Sequence, residues 1–314
     1  MVEEAKACGV DAVKFQTFKA AELISKYAPK ADYQKVTTGN NENQLEMTRK
    51  LELPYDEFIK LRDYAISLGL DTFSTPFDMD SISFLEEQKQ AIWKIPSGEV
   101  TNLPFLERIA KFRVPNKKII LSTGMCTIDE IHQAVDIILK YEMPENLIIL
   151  HCNTEYPTPD KDVNLSGIDT LHKEFPGIQI GFSDHSVGCV AAIGACMKDI
   201  CCIEKHFTLD KNLPGPDHKA SATPDELKAL CENVRRIEVI AGEGGKRVTE
   251  SERRNINIAR KSIVARCAIK KGDLFTEENI TCKRPGNGIS PMEWYKVLGT
   301  AAVRDFEEDE LIER

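Results

Sequence analysis

Leu147-Ile148-Ile149-Leu150 is apolar at four consecutive positions. A strand with one wet face alternates, so an unbroken apolar run marks a strand covered on both sides, as in the parallel sheets of α/β proteins. Just upstream, Thr127-Ile128-Asp129-Glu130 is a capping box ahead of Ile131, Val135, Ile138 and Leu139, whose spacing is that of an amphipathic helix. The same strand-and-helix unit recurs outward in both directions. Short β-rich runs lie at Ala12–Phe18, Asp71–Pro76, Ala91–Ser97, Ile119–Gly124, Leu147–Asn153, Ile178–Asp184 and Cys201–Phe207. A last helix opens at Thr223-Pro224-Asp225-Glu226, with Pro at the first helical position and Leu227, Leu230, Val234 and Ile237 behind it.

Strict alternation implies a parallel sheet, either closed into a barrel or open and doubly wound. No Gly-rich dinucleotide fingerprint follows any of the strands, which removes the main reason to prefer the open sheet. The expected fold class is therefore α/β, a TIM (β/α)8-type barrel. A barrel needs eight strands and seven are found. Met1–Cys8 reads as the second half of a helix running into the strand at Ala12, so the expected barrel lacks its first strand. A Gly-rich exit at Gly242-Glu243-Gly244-Gly245-Lys246 and the charged stretch Thr249–Arg254 mark a boundary. The expected organisation is a barrel domain over 1–242, a linker over 243–258, and a small β-rich module over 259–314 with β-like pieces at Ser262–Ala265, Asn279–Lys283 and Thr300–Val303.

The 314 residues are 42% hydrophobic and 29% charged, with no apolar run near the roughly 20 residues that span a bilayer. The net charge of −9 comes without a basic tract, which argues against a nucleic-acid partner. Ten cysteines include no CxxC pair, so buried reduced thiols are expected. The first residues resemble neither a signal nor a transit peptide, and the cytoplasm is the expected location.

In a TIM barrel the reacting groups project from the C-terminal strand ends, where residues two apart share a face. Lys14 and Gln16, Ser97 and Glu99, Ser183 and His185, and Glu204 and His206 are four such polar pairs, with Ser122, Asn153 and Tyr156 on the strands between. Polar groups in otherwise apolar strand ends cost several kcal/mol unless satisfied, which points to a cleft. His185 and His206 fall on neighbouring strands, close enough to share a divalent ion such as Mn²⁺ or Mg²⁺ whose other positions go to water or substrate. Two satisfied core histidines would give the same spacing. Lys14 and Lys94, with Ser97, Ser122 and Ser183, have the makings of a cradle for phosphate or carboxylate. A desolvated lysine is also the nucleophile of a Schiff-base aldolase, and that reading stays open.

At these residues the chain resembles the sialic-acid synthase family, which includes N-acetylneuraminate, legionaminate and pseudaminate synthases. The resemblance is carried by Lys14-Phe15-Gln16-Thr17, Ser74-Thr75-Pro76-Phe77-Asp78, Lys94-Ile95-Pro96-Ser97-Gly98-Glu99, Leu121-Ser122-Thr123-Gly124-Met125, Asn153-Thr154-Glu155-Tyr156-Pro157, Gly181-Phe182-Ser183-Asp184-His185-Ser186, Glu204-Lys205-His206-Phe207 and Gly215-Pro216-Asp217-His218. Lys283-Arg284-Pro285-Gly286-Asn287-Gly288 resembles the family's antifreeze-like SAF domain. The resemblance implies a cytoplasmic transferase that condenses phosphoenolpyruvate with N-acetylmannosamine or a related amino sugar. It implies His185 and His206 as ligands of a divalent metal ion, Mn²⁺ first and Mg²⁺ or Co²⁺ after it. Lys14, Lys94, Ser97, Ser122 and Ser183 would lie around phosphoenolpyruvate, Gln16, Glu99, Tyr156 and Asp217 would hold the sugar, and Asn153 would be a further substrate-binding residue. Glu204, Lys14 and Glu99 are the expected catalytic groups, Glu204 as support or in proton handling. Arg284 would reach the partner's sugar in a domain-swapped homodimer. Acceptor choice is expected from Gln16, Tyr156 and the loop Lys19–Met47. Family members open with a strand bearing a Glu and an Asn-His-Asn-Gly-like motif, and neither is in this chain. Weak or no activity is therefore expected, and an inactive paralogue is the non-enzymatic alternative.

Overall fold

Seven of the apolar runs become parallel strands in the computed structural model, which describes residues 1–39 and 42–314. They are β1 (Ala12–Thr17), β2 (Asp71–Pro76), β3 (Ile92–Ile95), β4 (Lys118–Ser122), β5 (Leu147–Cys152), β6 (Gln179–Asp184) and β7 (Ile203–Lys205). β1 pairs with β2, and β3 through β7 form one ladder in sequence order. The helices between them start where the sequence signals them. Thr127 caps Ile128–Leu139 and Thr223 caps Pro224–Ala241, each with a Glu three residues on reaching back to the cap N–H. Their apolar faces and the outer faces of the strands make one core that includes Trp93, Ile119, Leu121, Ile138, Leu147 and Ile149. Met1 to Gly242 is one compact unit.

β2 and β3 share no ladder, and a side chain does the joining. Gln90, just ahead of β3, accepts the Ser74 N–H at 2.7 Å and donates to the Ser74 carbonyl at 2.9 Å. The amide thus mimics a strand rung for a fully buried backbone segment. The sheet curls until β1 and β7 face each other: Lys14 Nζ on β1 is 3.8 Å from Glu204 Oε2 on β7. No ladder joins these two strands among the described residues. Outside them, the helix Val2–Cys8 packs on Pro224–Ala241, with the Cys8 thiol donating to the Pro224 carbonyl at 3.3 Å.

Three expectations need correction. Ser97 and Glu99 sit in a 3₁₀ turn (Ser97–Glu99), because Pro96 has no N–H to continue the β3 ladder. Asn153 and Tyr156 lie in the loop beyond β5 rather than on a strand. The loop expected over Lys19–Met47 carries the short helices Ala20–Leu23, Asp32–Thr38 and Gln44–Arg49, while residues 40 and 41 lie outside the described residues.

Glu243 to Arg314 forms a second unit. There β8 (Ser262–Ala265) pairs antiparallel with β9 (Ile280–Lys283) over Ile263, Ile269, Phe275, Phe306 and Ile312. The piece expected as a strand at Thr300–Val303 makes only a single bridge, Ala301 to Leu274. Its backbone groups instead bond Asp273, Phe275 and Gly272 in a turn entered through Gly299 at φ +77°. No helix among the described residues is long and apolar enough to cross a membrane. All ten cysteines are free thiols, and Cys201 and Cys267 are exposed rather than buried as expected.

Gln90→Leu should orphan the buried N–H and C=O of Ser74 together. It is expected to destabilise the barrel unit by about 2–4 kcal/mol, read as a lower urea midpoint at unchanged slope. A midpoint equal to wild type would show that water replaces the amide.

Candidate active site

The register of β6 and β7 sets Asp184 opposite Lys205 and Ser183 opposite Glu204. Asp184 and Lys205 point away from the barrel interior and form an ion pair at 2.9 Å, with 0% and 2% of their side chains exposed. Asp184 also accepts the N–H and hydroxyl of Ser186, while Lys205 donates to the Ser186 carbonyl. The pair is thus fully bonded. Because strand side chains alternate, pinning these two outward aims Ser183, His185, Glu204 and His206 inward. The ends are fixed further by Thr158 N–H bonding the His185 carbonyl and Ala222 N–H bonding the His206 carbonyl, at 2.9 and 2.7 Å.

Inside, the His185 and His206 rings are 5.3 Å apart. Burial pushes both imidazoles down, His206 to about 3 with His185 and Lys14 adding to the effect, so both rest neutral. His185 Nδ1 lies against the Asn153 carbonyl and must carry the proton, which leaves the Nε2 lone pair free to ligate. Ser183, 3.4 Å from that nitrogen, donates instead to Glu204 at 2.8 Å. Two neutral imidazoles, His185 oriented by its hydrogen bond, fit a divalent ion that would take its remaining positions from water or substrate. Among the described residues no group of three His, Cys, Asp or Glu side chains makes a closed cage.

Next to the histidines, Glu204 meets both lysines. Lys94 Nζ is 3.4 Å from Oε1 and Lys14 Nζ 3.8 Å from Oε2, and Lys94 also donates to Ser122 at 2.7 Å. Burial would raise the Glu204 carboxyl, but Lys94, Lys14 and the Ser183 hydrogen bond outweigh it and hold the group well below the usual range. Burial and the neighbouring Lys94 pull Lys14 down, and Glu204 opposes them. About a fifth of the Lys14 and Glu204 side chains stays open, at 19% and 20%, so a ligand can reach the cluster from the cleft.

Ser97 accepts the Gly124 N–H at 2.9 Å, and its oxygen is 3.3 Å from the Cys152 sulfur. A Cβ on Gly124 would lie 2.7 Å from Thr154 Cγ2 and 3.0 Å from Ser97 Oγ, so only glycine allows this approach. Burial raises Glu99, partly offset by the Asn102 amide that donates to it at 2.6 Å. Tyr156 lies on the histidines, its ring centre 4.1 Å from His185 and 5.6 Å from His206. Asp217 is raised by burial, and its Oδ1 has no partner among the described residues. Gln16 is exposed at the end of β1. Arg284 belongs to the second unit, where its Nε donates to the Ala259 carbonyl at 3.1 Å.

A charge cluster beside paired histidines at the C-terminal strand ends of a curled parallel sheet is one side of the comparison with known proteins. The other is sequence: the NeuB family matches residues 1–246 and the SAF domain matches 260–313. The chain belongs to the NeuB family. It is an enzyme of the transferase type. Its relatives include an N,N'-diacetyllegionaminic acid synthase of Campylobacter jejuni, 49% identical over 99% of this chain and 92% of that one. The human N-acetylneuraminate-9-phosphate synthase is 32% identical over 99% and 86%. Among solved structures, an N-acetylneuraminic acid synthetase from Leptospira borgpetersenii superposes with a TM-score of 0.69 at 32% identity, over 82% of this chain and 83% of that one.

Sequence reasoning passed over Asp184 and Lys205 as individual residues, although both lie inside quoted motifs. Their signal is the alternation itself: a charged residue between two inward polar ones, on each of two adjacent strands. Lys205→Met leaves Asp184 buried and unpaired. It is expected to cost about 3–5 kcal/mol in chemical denaturation, with the double variant Asp184→Leu/Lys205→Met recovering much of the loss. Equal losses in the single and double variants would show that the pair is not what holds these strands.

Proposed function

We propose that this enzyme is a nonulosonic acid synthase, condensing phosphoenolpyruvate with the open-chain form of an amino sugar. The observation that carries the reading is the convergence of Lys14, Lys94 and Ser183 on one carboxylate, Glu204, with Ser122 accepting from Lys94, beside two neutral histidines. Two cations and hydroxyl donors held ready in a partly dry cleft suit a small polyanion, whose arrival would displace Glu204 from the lysines. Phosphoenolpyruvate is of that class, and Ser97 and Asn153 are assigned to the same substrate pocket. C3 of phosphoenolpyruvate forms a bond to the acceptor's aldehyde carbon, water adds at C2, and phosphate leaves with cleavage of the C2–O bond. Glu204 is assigned to support the site or to handle the proton of that water. His185 and His206 are the residues that would hold a divalent ion, Mn²⁺ first, which supplies Lewis acidity at the acceptor's carbonyl oxygen.

Glu99, Tyr156, Asp217 and Gln16 are assigned to the sugar. A relative at 49% identity is named for N,N'-diacetyllegionaminic acid, against 32% for a solved structure named for N-acetylneuraminic acid. This favours a six-carbon acceptor with two acetamido groups over N-acetylmannosamine. Glu204 beside Lys14 opposes the loss of the proton that a Schiff-base nucleophile must give up, which disfavours the aldolase.

Incubation with phosphoenolpyruvate, Mn²⁺ and either acceptor should yield one phosphate per nonulosonic acid formed. A borohydride-trapped adduct on Lys14 or Lys94 would select the aldolase instead. His206→Ala should weaken Mn²⁺ binding at least about 100-fold in titration followed by electron paramagnetic resonance; unchanged affinity would return His206 to the core.

Arg284 is assigned to the sugar of a partner subunit in a swapped dimer, so Arg284→Ala should cost about 1.5–3 kcal/mol of acceptor binding. A dimer mixed from Arg284→Ala and His185→Ala chains should recover about half the wild-type rate, since one of two sites is then whole. Activity no higher than the Arg284→Ala parent would place Arg284 with its own barrel or with none.

A further inference from the structure

The short helix Asp32–Thr38 brings to the cleft a ring that no motif singled out. Tyr33 is half-buried, with its ring centre 5.4 Å from that of Tyr156 and tilted by 34°. Tyr156 touches His185 and His206, so aromatic contact runs unbroken from this helix to the paired histidines. Gln34 donates to the Tyr33 hydroxyl at 3.4 Å. Burial raises both phenols, Tyr33 to about 12, and Asp217 is near enough for its charge to raise them further.

The two tyrosines offer an apolar surface with a polar edge, and next to it is a buried carboxylate oxygen with no partner among the described residues. A buried acceptor left unsatisfied is costly and is ordinarily filled by a donor, here a hydroxyl or amide N–H of a ligand. Such a ligand is polar where it meets Asp217 and apolar where it meets the rings. A hexose carrying acetamido groups fits, with N–H and O–H donors and methyl groups in one small molecule. Burying a methyl or two against aromatic carbon changes affinity by about tenfold.

We propose that Tyr33 is an acceptor-binding residue that selects the sugar, its ring lying with Tyr156 against the acetamido methyls while Asp217 takes a donor of the same molecule. The inference rests on the acceptor reading above and adds the residue that discriminates among acceptors. It also places that choice on the segment between β1 and β2, an insertion outside the barrel layers, so that the acceptor is chosen without disturbing the phosphoenolpyruvate cradle.

The test is calorimetric titration of the full chain with phosphoenolpyruvate present and divalent ions chelated, so that binding is read without turnover. The probes are N-acetylmannosamine and the diacetamido hexose obtained by cleaving N,N'-diacetyllegionaminic acid. Wild type is expected to prefer the diacetamido sugar by about tenfold or more. Tyr33→Ala should lose most of that preference while binding phosphoenolpyruvate as before, and Tyr33→Phe, which keeps the ring, should retain it. Tyr33→Gln is the second variant should Tyr33→Ala fold poorly, and the same loss is expected of it. An unchanged preference in Tyr33→Ala or Tyr33→Gln overturns the proposal, as does an equal loss of phosphoenolpyruvate affinity, which would mark Tyr33 as a mere prop for the cleft. Wild type binding neither sugar would instead overturn the acceptor reading itself, and the proposal with it.

Discussion

The Asp184–Lys205 pair lies behind the site, and the site depends on it. A buried ion pair is poor evidence of stability, because taking two charges from water offsets much of their attraction. Its value here is directional. With both groups bonded and the neighbouring Ser186 backbone and hydroxyl drawn in, strands β6 and β7 have one register in which both charges are satisfied. A slip by one residue would bury Ser183, His185, Glu204 and His206 in the helical layer and turn the ion pair inward. Thus the outward pair fixes which residues face the cleft.

The cleft itself is organised by a second set of charges of opposite logic. Lys14 and Glu204 keep about a fifth of their side chains open, at 19% and 20%, so this cluster, with Lys94 buried beside them, is less fully desolvated than the outer pair. They also span the first and last strands of the curled sheet, where no backbone ladder runs among the described residues. A bound polyanion would change partners within this cluster while leaving the strands behind it unaltered. Such separation of a rigid outer pair from an exchangeable inner cluster is what a site needs if it must release its substrate and keep its shape.

Much of this was legible in the chain. Seven strands, the capping boxes at Thr127 and Thr223, and the inward pairs Ser183/His185 and Glu204/His206 follow from local periodicity and hydrogen-bonding chemistry. Strand ends were less so. Pro96 stops β3 early and puts Ser97 and Glu99 on a turn, and the β5 ladder ends before Asn153. Thr300–Val303 has strand-like composition, yet its backbone finds partners across a turn. In each case the deciding hydrogen bonds come from residues distant in sequence or from a proline's missing donor.

By itself the sequence determined the alternation of elements and the chemical kinds gathered at the strand ends, because side-chain period and capping depend on neighbours within one turn or strand. Tertiary structure alone decided that Lys14 meets Glu204 across the sheet, that Gln90 replaces a missing rung, and that Tyr33 lies against Tyr156. These contacts join residues 190, 16 and 123 positions apart. No local pattern encodes them, since they exist only once the apolar layers have packed and brought the curled edges and the intervening helix together.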